Sequence, residues 1–301
     1  MHVTARAWSS SANLGPGFDA FGLAVRAFHD EVTLRRIPRG TRMITDGSVP
    51  SDPVRNTAGL VVARMAKMFK KKGGLEITVK KGVPPGMGLG SSGASAAAAA
   101  VAFDRLHGLG LGPDELVRCA GAGETASAGT AHYDNVAASV LGGFVIAGEG
   151  VVRIRPPAGL RLCIAIPEVE VPRSKTRASR ALVPKRVPLA DHVSNMAAAA
   201  SMAAGFATRD PALIGRSATD VIAEPARART VPGLAAVRRG AVRAGAHGAA
   251  ISGAGPSVIA FADVSADLGR ITAAMSRGFK SAGIGCRTVA CAPAPAARIL
   301  P

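Results

Sequence analysis

Residues 86–107 read "GMGLGSSGASAAAAAVAFDRLH", a glycine-rich loop that runs directly into a helix of very small side chains. A helix from Ser91 or Ser92 to Leu106 carries few bulky groups to hold a neighbour away. Its alanines let another element approach closely, so the chain must build a packed layer against it. Ahead of it, Gly86, Gly88 and Gly90 bare the backbone N–H groups, and two serine hydroxyls follow. The helix N-terminus adds about half a positive charge aimed at whatever lies in front. The loop is suited to a phosphate; a mobile turn capping an alanine helix is the plainer alternative.

Gly88 to Gly93 also matches G-x-G-x-x-G formally, with Asp114 about 20 residues on. A dinucleotide fold makes its first glycine turn directly after a strand. Here the strand ends near Lys80, and "KGVPPGM" intervenes. Gly-Lys-Ser/Thr occurs nowhere in the chain, which removes the Walker A loop.

The 301 residues are 48% hydrophobic, enough for a sizeable core in one large domain or two. The longest charge-free run, Gly82 to Phe103, is broken by Pro84, Pro85 and glycines and is rich in alanine, so no membrane span is expected. The N-terminal residues lack the apolar stretch of a secretory signal, and a cytoplasmic location is the expectation. Cys119, Cys163, Cys286 and Cys291 form no CxxC pair and have no histidine at zinc-ligand spacing; reduced, mostly buried thiols are expected. The net charge of +17 divides into +4 for residues 1–150 and +13 for the rest. Its densest patch, Arg173 to Arg186, holds six basic residues and no acidic one, yet one Tyr and one Trp in the whole chain leave little for base stacking. A solvated face with a few anion-binding arginines is expected, with no specific nucleic acid.

Strands are expected at Val3–Ala7, Glu31–Arg35 and Leu75–Val79, from period-two patterning and β-branched residues. A helix at Thr57–Lys70, ended by Gly73-Gly74, places Leu60, Ala63, Met65 and Met68 together, the methionines as core filler. A further helix spans Pro113 to about Ser127, with Pro, Asp and Glu in its first turn. Pro156-Pro157 breaks the pattern at a plausible domain boundary. Beyond it "LRLCIAIP" reads as a buried strand, Ala190–Phe206 as a helix, and "AAISGAGPSVIAF" as two strands joined by a glycine-rich turn. The order suggests two α+β layers rather than a run of βαβ units.

Three motifs in order carry a resemblance. "PPGMGLGSSGASA" resembles the P-x-x-x-G-L-G-S-S-[AG] loop of the GHMP kinases, with Pro84, Gly88, Leu89, Gly90, Ser91 and Ser92 in register. "SSANLGPGFDAFGLA" from Ser10 and "ISGAGPSVIAF" from Ile251 match the other two. The N-terminal segment is similar to the homoserine kinase branch at Asn13, Gly17 and Asp19. "SDPVRN", "GETASAGTAHYDNVAASVLGGF", "TRASRALVP" and "EPARARTVPG" extend the likeness over nearly the whole chain.

The resemblance implies a two-domain α+β fold: an N-terminal, ATP-binding domain like ribosomal protein S5 domain 2 (residues 1–155) and a ferredoxin-like C-terminal domain (residues 156–301). It implies ATP and Mg²⁺ as cofactors, L-homoserine as acceptor, O-phospho-L-homoserine for threonine synthesis as product, and a homodimer. The loop of Pro85, Gly86, Gly88, Leu89, Gly90, Ser91 and Ser92 would wrap the phosphates, Ser92 and Glu124 would hold the metal, and Asn56 would contact adenine. Asn13 and Asp19 suit the amine of a zwitterion, and Arg180 and Arg227 its carboxylate. His132 and Asn135 lie in the segment that lines the acceptor site in the family. Asn13, Asp19 and Asn135 are the catalytic candidates.

The resemblance implies no clear base, and the sequence leaves open whether Asp134 or Asn135 faces the hydroxyl. The expectation is transfer by positioning and metal electrostatics, with the proton lost to the phosphate. Ser179, Val183 and Trp8 depart from the usual residues, and Arg173, Lys175 and Arg177 rival Arg180. Another acid acceptor such as mevalonate or shikimate, or a basic nucleic-acid-binding protein on a relic kinase fold, are the alternative readings.

Overall fold

Long alternation makes long strands. β1 (His2–Asn13) and β2 (Gly17–Ile37) pair antiparallel over most of their length, and β1 buries Val3, Ala5 and Ala7 on one face. Register shifts after Trp8 and after Ala12 bend this ribbon. The bend gives β2 two partners in succession along its other edge. The computed structural model describes residues 2–128, 133–172 and 175–301.

After β3 (Thr41–Thr45) and a single 3₁₀ turn, α1 (Thr57–Met68) leads to β4 (Gly74–Lys80), which pairs antiparallel with residues 31–37 of β2 and parallel with β3. α2 (Ser91–His107), α3 (Pro113–Ala128) and α4 (Tyr133–Leu141) follow. β5 (Phe144–Ala147) then joins residues 21–23 of β2, and β6 (Val151–Ile154) pairs with β5.

α2 is the keystone of this half. Ala94 to Ala100, Ala102, Phe103 and Leu106 are buried, and the helix touches β1 and β2 on one side and α1, α3 and α4 on others. Only small side chains allow contact in so many directions at close range. The expected stripe on α1 is corrected. Its buried residues are Ala58, Gly59, Val61, Val62 and Met65, while Met68 is 58% exposed and fills no core. The helix also stops before Gly73, with Phe69 as its C-cap and Lys70 in the left-handed region.

The second sheet is antiparallel throughout. β7 (Arg161–Pro167) is followed by α5 (Lys175–Ala181), α6 (Leu189–Thr208), α7 (Pro211–Arg216), α8 (Ala223–Arg227) and α9 (Leu234–Arg243). β8 (Gly248–Ile251) and β9 (Val258–Ala262) form the expected glycine-linked hairpin. α10 (Leu268–Lys280) and β10 (Cys286–Cys291) complete the order β10-β7-β9-β8. α9 and α10 cover one face of this sheet. The other face meets the first sheet in a shared core where Phe144 stacks on Phe206 at 3.9 Å and meets Phe21 edge-on. Each such ring pair adds about 0.5–1.5 kcal/mol beyond its buried area.

The chain then returns. β11 (Arg298–Ile299) pairs with β1, so the larger sheet draws strands from residues 2–154 and from 298–299. Part of the C-terminal charge surplus lines a groove between α9 and α10, where Arg239, Arg243, Arg270 and Arg277 are all exposed. No helix among the described residues is long and apolar enough to cross a membrane.

Candidate active site

The three motifs, some 240 residues apart at their extremes, meet in one place. The Ser10 N–H donates to the Leu89 carbonyl at 3.0 Å, and the Ser252 hydroxyl donates to the Gly88 carbonyl at 2.7 Å. The phosphate-suited loop is thereby held between the N-terminal and C-terminal motifs. Gly88 has φ +76°, and a Cβ there would lie 2.2 Å from the Ser252 carbonyl oxygen and 2.5 Å from that of Gly255. No other residue fits.

Gly90 is the N-cap of α2, in the left-handed region and without a side-chain cap. The first-turn N–H groups of α2 are therefore uncapped by a side chain and available to an anion. Beneath the loop, Asp30 Oδ1 accepts from the N–H groups of Gly82 and Val83, both at 3.0 Å. The buried Lys81 ammonium donates to Asp30 Oδ2, to the Ser91 carbonyl and to the Ser95 hydroxyl. This cluster is the loop's foundation, and no motif in the sequence points to it.

A cavity of about 320 Å³ opens above the loop. It is lined by Asn13, Asp19, Asn56, Pro85, Gly86, Gly88, Leu89, Gly90, Ser91, Ser92, Glu124, Asn135, Arg180 and Arg227, which are the expected site residues apart from His132. His132 lies outside the described residues. At the loop end, the Ser92 hydroxyl donates to Glu124 Oε1. Asn56 lines the cavity but also caps α1, accepting from the Ala58 N–H at 3.0 Å and donating to the Pro50 carbonyl at 2.8 Å.

At the other end, Asp19 and Arg180 form a two-bonded fork, Nη2 to Oδ1 at 2.8 Å and Nη1 to Oδ2 at 2.7 Å. Asn13 orders it: its Oδ1 accepts from the Asp19 N–H at 3.0 Å and its Nδ2 donates to the Gly253 carbonyl at 2.8 Å. Asn13, Leu14 and Asp19 all have positive φ, backbone strain held by the surrounding motifs. Arg227 is buried, with Nε donating to the Ser179 carbonyl at 3.3 Å. Asp220 caps α8 through three N–H groups, and Glu224 accepts from the Ile251 N–H at 2.8 Å, so the "EPAR" segment is locked to the C-terminal motif. The guanidinium groups of Arg180 and Arg227 lie 5.8 and 4.8 Å from the centre of the Phe18 ring. Phe18 is a support that sequence reasoning missed, although it immediately precedes Asp19.

Of the rivals to Arg180, Arg177 is exposed, Arg173 lies outside the described residues, and Lys175 lines the cavity. Ser179 is buried and Trp8 packs edge-on against His29.

Asp134 and Asn135 both line the cavity. Asn135 Oδ1 accepts from the Ser10 hydroxyl at 2.9 Å, and Asp134 Oδ1 accepts from the Asn135 N–H at 2.6 Å. Burial, aided by the Asp19 charge, raises Asp134 from 3.8 to about 6, against the lowering by its hydrogen bonds to Asn135 and by Arg180. A carboxyl whose folded pKa lies above its unfolded one favours the folded state while protonated. That stability is lost as pH rises from about 4 through about 6. Asp134→Asn should therefore stabilise the fold at pH 8 by up to about 3 kcal/mol and leave it unchanged near pH 4. Thermal unfolding at the two pH values checks this; equal melting temperatures at pH 8 would contradict the buried-carboxylate account.

Comparison with known proteins identifies the family. The family described as GHMP kinases N terminal domain matches residues 56–143, and GHMP kinases C terminal matches residues 202–281. A homoserine kinase of Thermoplasma volcanium is 41% identical over 278 residues, covering 91% of this chain and 89% of that protein. One of Methanopyrus kandleri is 46% identical, covering 86% and 87%. The crystal structure of homoserine kinase from Cytophaga hutchinsonii superposes with a TM-score of 0.92 at 34% identity, covering 99% of this chain and 97% of that one. With identity at this level across nearly the whole length, and the loop, fork and glycine motifs in one cleft, the chain belongs to the GHMP kinases, in their homoserine kinase family.

Proposed function

We propose that the chain transfers the terminal phosphoryl group of ATP to the side-chain hydroxyl of L-homoserine, giving O-phospho-L-homoserine for threonine biosynthesis. The observation that carries this reading is the polarity of the cleft. An anion cradle stands at one end, and an Asp19–Arg180 fork with the buried Arg227 stands at the other. A zwitterion matches that second end: its ammonium faces Asp19 while its carboxylate engages Arg180 and Arg227. Mevalonate or shikimate would leave Asp19 and Asn13 without an amine.

The residues fit a magnesium ion. Ser92 and Glu124 offer a hydroxyl and a carboxylate oxygen beside the phosphate cradle, the hard donors this ion takes alongside phosphate oxygens and water. Bound there, the ion would offset the phosphate charge. The chain does the rest. The loop N–H groups hold the phosphates, Arg180, Arg227 and Asp19 orient the acceptor, and Asn135 lies beside the loop through its Ser10 hydrogen bond. With the reactants so placed, proton loss to the phosphate suffices.

The same reading makes the protein a cytoplasmic homodimer. Four free cysteines, two of them buried, suit a reducing compartment, and Leu189, Val193 and Met196 leave an exposed apolar stripe on α6 that a second copy would cover.

Arg227→Met should raise the KM for L-homoserine about 30- to 100-fold, the worth of a charge-assisted hydrogen bond, and change the KM for ATP less than about threefold. Steady-state kinetics with each substrate varied in turn checks this. An equal rise in both constants would remove Arg227 from the acceptor site.

A further inference from the structure

Two lysines line the cleft, and they differ in what they hold. Lys81 places its ammonium against three acceptors, Asp30, the Ser91 carbonyl and the Ser95 hydroxyl, so all three of its donors are engaged and its charge is matched. Lys175, the first residue of α5, donates to the Gly86 carbonyl at 2.9 Å and to the Gly255 carbonyl. Both acceptors are neutral. Among the described residues nothing accepts from its third donor, and no carboxylate lies within ion-pair distance of it.

The carboxylates that line the cleft have other partners. Asp19 is forked to Arg180, Glu124 accepts from Ser92, and Asp134 accepts from Asn135. Among the described residues the charged neighbour that acts on Lys175 is Arg227, which repels it. A half-buried cation with neutral partners and a cationic neighbour is a costly arrangement unless a bound anion completes it.

Position says which anion. Gly86 belongs to the loop that cradles phosphates, and Gly255 to the C-terminal motif. Five residues along α5, Arg180 belongs to the acceptor end. Lys175 thus stands at the junction of the two ends, where the phosphoryl group changes hands. We propose that Lys175 is a catalytic residue that donates its third hydrogen bond to the terminal phosphate of ATP, an assignment that rests on the kinase reading above. Burial and the Arg227 charge draw its ammonium down to about 7, so a polyanion arriving beside it would hold the proton in place. Stabilising charge on the transferring group is the term phosphoryl transfer depends on most.

Titration calorimetry with ATP and with ADP, each with magnesium and without acceptor, tests this on the wild type and on Lys175→Met and Lys175→Gln. Glutamine removes the charge while keeping amide donors for the two carbonyls, so it reports even if the methionine variant folds poorly. Both variants should bind ATP about 10- to 30-fold more weakly and ADP within about twofold of wild type, because ADP lacks the contacted group. Their kcat should fall about 100-fold with the KM for homoserine held within about threefold. Equal weakening of ATP and ADP, or an unchanged ratio in folded protein, would overturn the assignment. Absence of homoserine turnover in the wild type would defeat the proposed reaction and leave the ATP-to-ADP comparison readable.

Discussion

Glu124→Gln should lower kcat by about three orders of magnitude while the protein still melts cooperatively within a few degrees of wild type. The substitution keeps an acceptor for the Ser92 hydroxyl, so the packing around this buried side chain is nearly conserved. What it removes is the negative charge beside the glycine loop. If that charge holds magnesium, the variant should also need about tenfold or more metal to reach half its residual rate. Turnover assayed across a magnesium series measures both effects. A loss of less than about tenfold, with unchanged metal dependence, would show that Glu124 plays a structural part only.

The second large effect concerns Gly88. Gly88→Ala should cost about 3 kcal/mol or more of stability and raise the KM for ATP at least about tenfold. Two separate terms add there. The residue sits at φ +76°, and its new methyl would meet the Ser252 and Gly255 carbonyl oxygens at 2.2 and 2.5 Å, backbone atoms of a neighbouring loop. Gly110→Ala is the internal comparison, since Gly110 has φ +67° with nothing within 4 Å of its would-be Cβ. It should lose only the left-handed backbone term, about 1–2 kcal/mol, with activity intact. Denaturant melts of the two variants separate strain from collision. Equal losses would mean that contact between the two glycine motifs is not what shapes the loop.

Those motifs show how far the sequence could be read. The alanine helix was legible from local pattern: a run of small, helix-favouring residues behind two serines permits close approach of a neighbour, and the helix is buried accordingly. The loop ahead of it was legible for the same local reason. α1 reads differently at Met68 because one apolar residue at the end of a stripe cannot show whether a neighbour reaches it, and here Met68 stays 58% exposed.

Asp30 was missed although a signal existed. Along β2 it shares the inward phase of Val32 and Leu34, and a charge in that phase asks for a buried partner. The partner, Lys81, follows directly on β4, and only the β2–β4 register brings the two together. Lys175 was visible as one cation in a basic run. Its bonds to Gly86 and Gly255 arise from chain closure over 89 residues on one side and 80 on the other, which no local pattern encodes. Arg180 and Arg227 came from resemblance and not from spacing; the structure adds their shared contact with Phe18 and the fork to Asp19.

The central claim is that the cleft distinguishes a zwitterionic acceptor by pairing its amine with Asp19 and its carboxylate with the arginines. The most direct measurement compares kcat/KM for L-homoserine with that for 4-hydroxybutyrate, the same hydroxy acid without the amine, and for mevalonate, using ADP release with magnesium and ATP. The account predicts a preference for L-homoserine of about 100-fold or more over both, shrinking by at least tenfold for 4-hydroxybutyrate in Asp19→Asn. Comparable turnover of L-homoserine and 4-hydroxybutyrate, or a preference that Asp19→Asn leaves unchanged, would contradict it.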